Sequence, residues 1–257
     1  MRYVCFANGP VGANVLRWLK TQSDELVALV VHPEDRQKCA ADIREVSDLP
    51  PERILTADVL DRPESLTLLE SLRPEIGVSV FFGYILKPSC INAFPEGVIN
   101  LHPSYLPYNR GAFPNVWSIV DQTPAGVTIH YIDEGVDTGD IVAQERVEVL
   151  PQDTGQTLYH RLELACRDLF AKTWPAISEG RTKRLSQSKQ DGTFHRTADV
   201  RGIDEIDLDR EYTARYLLNV LRARTFPPHL GAYFKEGGER YYLKLDIQKA
   251  DPSETES

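Results

Sequence analysis

The chain has 257 residues, 42% of them hydrophobic, which is enough to bury a full core in one large domain with a small appendage and argues against two equal domains. A formal charge of -9 repels polyphosphate backbones, and Thr182 to Ser257 balances 13 Lys/Arg against 13 Asp/Glu, so no basic patch by count favours a nucleic acid partner. Cys5, Cys39, Cys90 and Cys166 make no CxxC pair, and no apolar run approaches the roughly 20 residues of a membrane span, so we expect reduced thiols, no metal, no membrane partner and a soluble cytoplasmic protein.

Arg2 to Ala7 reads as a short buried strand, too brief for a signal peptide, and Asn8-Gly9-Pro10-Val11-Gly12 turns it into a helix through Val15, Leu16 and Leu19. A second apolar strand follows at Leu26 to Val31. Strand, Gly-bearing turn, helix and strand are the parts of a right-handed βαβ unit and imply a parallel sheet covered by helices. The turn lacks GxGxxG spacing and carries Pro10, which argues against a dinucleotide enzyme. Glu64 to Leu72 is helical in pattern and is stopped by Pro74, after which Ile76 to Phe82 forms another continuous apolar strand.

Gly97 to His102 reads as a strand closed by Pro103, with Ser104 to Gly111 as loop and Phe113 to Val120 as a short helix. Gly126 to Ile132 and Ile141 to Val149 are strands around the acidic turn Asp133 to Asp140. Asp153 with Gln156 resembles a helix-start box, and Leu158, Leu162, Ala165 and Leu169 recur behind it at helical spacing. This long helix closes a first domain, 1–180. A polar stretch, Ser186 to Gly192, leads to a helix carrying Ala214, Leu217, Leu218 and Leu221. Ala232 to Phe234 and Arg240 to Ile247 then form a hairpin around Gly237-Gly238, which makes 181–250 a small C-terminal module and leaves 251–257 as a disordered tail.

Chemistry concentrates at Asn100 and His102. Two residues apart on a strand, they share one face while Leu101 points into the opposite layer. They sit at the carboxyl end of a parallel strand, where open α/β sheets place ligands. The loop that follows, Pro103-Ser104-Tyr105-Leu106-Pro107-Tyr108-Asn109-Arg110-Gly111, is longer than a simple connection needs, and such loops on a rigid sheet usually hold something.

Asn100-Leu101-His102-Pro103-Ser104, Leu106-Pro107, Arg110-Gly111 and Gly135-Val136-Asp137-Thr138-Gly139 resemble the signature of the folate-dependent formyltransferases. The resemblance spans Arg2 to Gly180 and implies an α/β fold with a Rossmann-like, mostly parallel sheet. It carries the catalytic set over to Asn100, His102 and Asp137, with Asp140 as a neighbouring alternative. The residue types suit the chemistry. An imidazole accepts the proton of an attacking amine, a carboxylate beside it raises the imidazole pKa and fixes the ring, and the Asn amide donates to the oxyanion. By resemblance the donor is N10-formyltetrahydrofolate, bound along Phe82, Gly83, Tyr84, Ile85 and Leu86 with Leu106 and the turn from Asp133 to Gly139.

The acceptor is read from the C-terminal module. It is short and charge-balanced, unlike the longer basic barrel of methionyl-tRNA formyltransferases, whereas glycinamide ribonucleotide enzymes end soon after the first domain. The segment around Tyr105, Asn109, Arg110 and Gly111 and the later stretch through Arg224, Phe226, His229 and Tyr233 resemble the sugar N-formyltransferases of surface-polysaccharide (lipopolysaccharide O-antigen) pathways. The resemblance therefore implies a nucleotide-linked amino sugar as acceptor. Phe226, Tyr233 or Phe234 can stack on its base, and Arg110, Arg222 or Arg224 can pair with its pyrophosphate. A homodimer is expected from the aromatic hairpin. The rival readings are another formyl acceptor, a formyltetrahydrofolate hydrolase that uses water, and a binding module without turnover.

Overall fold

The protein is described by a computed structural model over residues 1–188 and 192–250, so the expected tail at 251–257 lies outside the described residues. The first strand, β1 (Arg2–Ala7), is buried along nearly its whole length. Tyr3, Cys5 and Ala7 enter one core while Val4 and Phe6 enter another on the opposite face. Two-sided burial is what a parallel strand needs when helices cover both faces of its sheet.

In chain order there follow α1 (Gly9–Leu19), β2 (Glu25–Val31), α2 (Ala40–Ser47), β3 (Ile54–Thr56), α3 (Pro63–Ser71), β4 (Ile76–Val80), α4 (Pro88–Ile91) and β5 (Val98–His102). Then come β6 (Arg110–Gly111), α5 (Pro114–Val120), β7 (Gly126–Tyr131), β8 (Ile141–Arg146) and α6 (Gly155–Ser178). The C-terminal part holds β9 (Phe194–His195), α7 (Ala214–Ala223), β10 (Tyr233–Glu236) and β11 (Glu239–Tyr242).

Seven strands form one sheet in the order β3-β2-β1-β4-β5-β7-β8. The first five in that order pair in parallel, whereas β7 pairs antiparallel with both β5 and β8. The mostly parallel α/β sheet expected from the sequence is therefore present. The chain reverses direction across the sheet at β1, which has β2 on one side and β4 on the other, so the crevice lies outside the carboxyl ends of β1, β4 and β5.

Four local expectations are corrected. The long helix is capped by Thr154, whose hydroxyl accepts from the Thr157 N–H while Thr157 Oγ1 accepts from the Thr154 N–H at 2.9 Å, rather than by Asp153 with Gln156. Asp153 accepts instead from the Leu150 N–H and pairs with Arg161. The stretch from Ser104 to Gly111 is not wholly loop, because Arg110 and Gly111 pair in parallel with Phe194 and His195. The strand expected over Ile76 to Phe82 ends at Val80, and the one expected over Ile141 to Val149 ends at Arg146.

The C-terminal part shares the main core. Val200, Ile206, Val220, Ala223 and Ala232 belong to the same buried cluster as the inward faces of α1, α5 and α6. The Arg222 guanidinium, itself buried, donates to the carbonyls of Leu150, Pro151 and Asp153 and so ties α7 to the start of α6. Cys5, Cys90 and Cys166 are buried free thiols and Cys39 is exposed. No helix among the described residues is long and apolar enough to cross a membrane.

Candidate active site

Three neighbouring strands bring one polar row to the crevice. Register places Ser79 on β4 beside Asn100 on β5, and Asn100 opposite His130 on β7. Ser79 Oγ donates to Asn100 Oδ1 at 2.9 Å, which turns the amide nitrogen toward His130 Nε2 at 3.2 Å. His130 Nδ1 lies 2.8 Å from the Tyr131 carbonyl, which can only accept, so this nitrogen carries a proton, and while Nε2 is unprotonated it accepts from Asn100. One N–H of Asn100 is thereby engaged and the other remains for a ligand oxygen. Ser79 and His130, both buried, are members of the row that motif reading missed. Their signal was present as polar residues at inward positions of strands that are otherwise apolar.

His102 lies two residues further along β5, on the same face. Its Nε2 is buried and makes no hydrogen bond, and Asp137 Oδ2 stands 3.5 Å away. The ring bonds instead to the backbone of Asn109, which falls to Nδ1 because Nε2 makes no hydrogen bond. Burial lowers the pKa of His102. Asp137 acts in the opposite sense, as expected, but nearby His130 adds to the lowering and the net direction is down. The expected effect of the carboxylate is present, but desolvation of a buried cation outweighs the ion pair and sets the net sign.

Asp137 occupies the left-handed backbone region at φ 53, at the tip of a tight turn. Its Oδ2 accepts from the Gly111 N–H at 2.8 Å, and Oδ1 lies 3.4 Å from His130 Nε2. Burial alone would raise its pKa, but His102, His130 and the Gly111 amide outweigh it and hold the carboxyl well below the usual carboxylate range. Asp140 is engaged differently: its carbonyl accepts from the Tyr131 N–H, and its side chain does not reach the crevice lining. Asn100, His102 and Asp137 thus converge, with His130 beside all three.

These groups open into a cavity of about 610 Å³. Phe82, Gly83, Tyr84, Ile85 and Leu86 line it, as do Asp133 and Gly111. Tyr84 is braced by the His32 ring at 5.0 Å. Asp133 shapes the turn by accepting from Gly135 N–H and Thr138 Oγ1. Leu106 and Gly139, expected beside the folate, do not line the cavity. Leu106 is buried with its carbonyl bound by Gln144, and a Cβ on Gly139 would lie 2.0 Å from the Tyr131 carbonyl, so this glycine allows a close backbone approach. A wall that motif reading did not include, Phe194 to Thr197, comes from β9 and the residues after it.

The expected acceptor contacts divide. Asn109 is fully buried and bonded to Ser118, Thr123 and Thr193, Arg110 bonds Gln187, and Tyr105 lies under Arg146 at 4.9 Å, so all three build the loop. Arg224 is paired with Asp204 and is not free for a phosphate. The Tyr233 hydroxyl donates to Glu205, and its ring lies 4.8 Å from the Arg240 guanidinium. Phe226 and His229 instead join an aromatic row. Phe81, on the cavity wall, is 6.3 Å from Tyr159, Tyr159 is 5.6 Å from Phe226, and Phe226 is 5.7 Å from His229.

The family model described as formyl transferase matches residues 1–173, and one described as N-formyltransferase dimerization C-terminal domain matches residues 199–249. A 4-N formyltransferase from Francisella tularensis is 26% identical, with a TM-score of 0.83 over 97% of this chain and 98% of that one. The formyltransferase PseJ from Anoxybacillus kamchatkensis, solved with UDP-4,6-dideoxy-4-formamido-L-AltNAc and tetrahydrofolate, is 29% identical, with a TM-score of 0.57 over 79% of this chain and 89% of that one. A sugar N-formyltransferase from Shewanella sp. FDAARGOS_354 shares the fold at 22% identity, with a TM-score of 0.83 over 98% of this chain and 99% of that one. With the family match running over 173 of 257 residues and containing Asn100, His102 and Asp137, the chain belongs to the formyl transferase family.

Proposed function

We propose that this enzyme moves a formyl group from N10-formyltetrahydrofolate to the amino group of a nucleotide-linked amino sugar, such as a dTDP- or GDP-linked 4-amino-4,6-dideoxyhexose, in surface-polysaccharide assembly. The observation that carries the reading is the convergence of Asn100, His102 and Asp137 on one cavity, whose wall residue Phe81 begins an aromatic row running through Tyr159 to Phe226 and His229 of the C-terminal module. The ligands of the Anoxybacillus relative, a formamido sugar nucleotide and a folate, support it.

The cavity suits the donor because Phe82, Tyr84, Ile85 and Leu86 make an apolar strip, with backbone groups of the Asp133 to Asp137 turn available to a flat heteroaromatic ring. The donor supplies the formyl carbonyl. The uncommitted N–H of Asn100 donates to the formyl oxygen as negative charge grows there, a type of contact worth about 2.7–4 kcal/mol in comparable sites. As the acceptor nitrogen bonds to the formyl carbon, His102 Nε2 takes its proton, Asp137 stabilises the imidazolium that forms, and the imidazolium gives that proton to N10 as the formyl carbon–N10 bond breaks and tetrahydrofolate leaves. The nucleotide half of the acceptor lies along Phe81, Tyr159, Phe226 and His229, where rings offer stacking faces. Tyr105, Asn109 and Arg110 act by shaping the loop.

The same proposal divides the chain into a transferase domain over 1–180 and a C-terminal module over 181–250, supported by the separate family matches to 1–173 and 199–249. The module makes a homodimer, supported by that second match and by the exposure of Leu208, Tyr216, Leu218, Leu230, Tyr241 and Tyr242. The enzyme works in the cytoplasm. Incubation with 10-formyltetrahydrofolate and a panel of nucleotide-linked amino sugars, read by mass spectrometry, tests the reading. One panel member should gain a formyl group. Formate release at an unchanged rate without any acceptor would replace transfer by hydrolysis.

A further inference from the structure

We propose that Gln187, outside both family matches, is a positioning residue that sets the catalytic carboxylate of Asp137. The inference rests on the formyl-transfer reading. After α6 the chain runs back along the sheet edge, where Leu185 exchanges two backbone hydrogen bonds with Ile141 at 2.8 and 2.9 Å. This places the half-buried Gln187 beneath the turn that carries Asp137. Gln187 Nε2 donates to the carbonyls of Asp137 at 3.0 Å and Gly139 at 2.7 Å. Gln187 Oε1 accepts from Arg110 Nε at 3.2 Å and Nη2 at 2.9 Å.

The contacts close a ring. Arg110 is followed by Gly111, whose N–H donates to Asp137 Oδ2, so the main chain of residue 137 and its carboxylate are held from one pair of neighbouring residues with Gln187 as the link. Such a clamp is needed because Asp137 sits at φ 53, a conformation a side-chain-bearing residue keeps only when its surroundings over-determine it. Only a carboxamide meets both demands here: two donors toward carbonyls and one acceptor toward a guanidinium. A glutamate would keep the acceptor side and set a negative oxygen against two carbonyl oxygens. A methionine would keep the shape and lose both sides.

The test compares Gln187→Glu and Gln187→Met with wild type by steady-state kinetics and by ¹⁵N NMR titration of the histidine rings, with His102 assigned by its absence in His102→Gln. Both variants should lose at least about 10-fold in kcat while both KM values stay within about 3-fold, because the transition state rather than ground-state binding is affected. His102 should titrate at lower pH in both, since the displaced Asp137 no longer favours its charged form. Unchanged kcat in both variants, or an unmoved His102 titration in Gln187→Met at any thermal stability, overturns the proposal. If wild type transfers formyl to no nucleotide sugar, the functional reading fails, while the titration still decides whether Gln187 sets Asp137.

Discussion

In the proposed transfer His102 accepts a proton inside a cavity wall that disfavours charge, and burial there lowers its pKa. The shift favours the neutral ring, so the base form is lost as pH falls through a value below the ordinary histidine pKa of about 6.5. The acid limb of kcat/KM should therefore lie below pH 6.5, a result that a pH–rate profile reads directly, and a limb above 7 would contradict it. The same sign governs stability: between the folded and unfolded pKa values the unfolded chain binds more protons, so this ring's contribution weakens as pH drops below about 6.5. His102→Ala should reduce transfer by about 10²–10⁴-fold while folate binding, followed by calorimetry, persists. Arg224 leads to a different expectation. Because Arg224 and Asp204 keep only 15% and 16% of their side-chain surface exposed, Arg224→Ala should cost on the order of 2 kcal/mol, less than full burial would give. Its thermal midpoint should fall with the sugar-nucleotide KM unchanged, whereas a raised KM with an intact midpoint would return Arg224 to the phosphate site.

Elements were legible where burial alone shapes them. The runs at Tyr3 to Ala7 and Leu26 to Val31 are strands because both faces are covered, and α6 follows its apolar stripe from Leu158 through Leu169. The cap of α6 lies one residue beyond the Asp153 that the sequence suggests, since Asp and Thr are both good caps and Arg161 draws Asp153 away. Thr154→Ala should cost about 1 kcal/mol and lower the thermal midpoint by roughly 2–4 °C, with turnover at 25 °C retained. The pairing of β6 with β9 had no local signal at all. Two-residue strands more than 80 positions apart, as Arg110 and Phe194 are, become strands only when the fold sets them side by side.

At the scale of the molecule, the C-terminal part is joined to the main core through Val200, Val220 and Ala232, yet leaves an apolar surface of its own. Leu218 on α7 is 47% exposed and Leu230 61%, in the same part as the stacked pair Phe234 and Tyr241. Leu218→Glu should convert a dimer to a monomer with a normal circular dichroism spectrum, as measured by light scattering during size-exclusion chromatography. A wild-type protein that is already monomeric at micromolar concentration would remove the dimer from the proposal.

Sequence alone determined the alternation of strands and helices, the placement of Asn100 and His102 on one face, and the acidic turn bearing Asp137, because each depends on periodicity or on residues a few positions apart. Only the tertiary structure decided that His130 and Ser79 join them, that Gln187 braces the turn, and that Arg110 and Arg224 are committed within the protein. Those contacts span from 20 to 77 residues of chain. Strand order, register and the desolvation of a closed cavity set them, and none of these is written in the spacing of neighbouring residues.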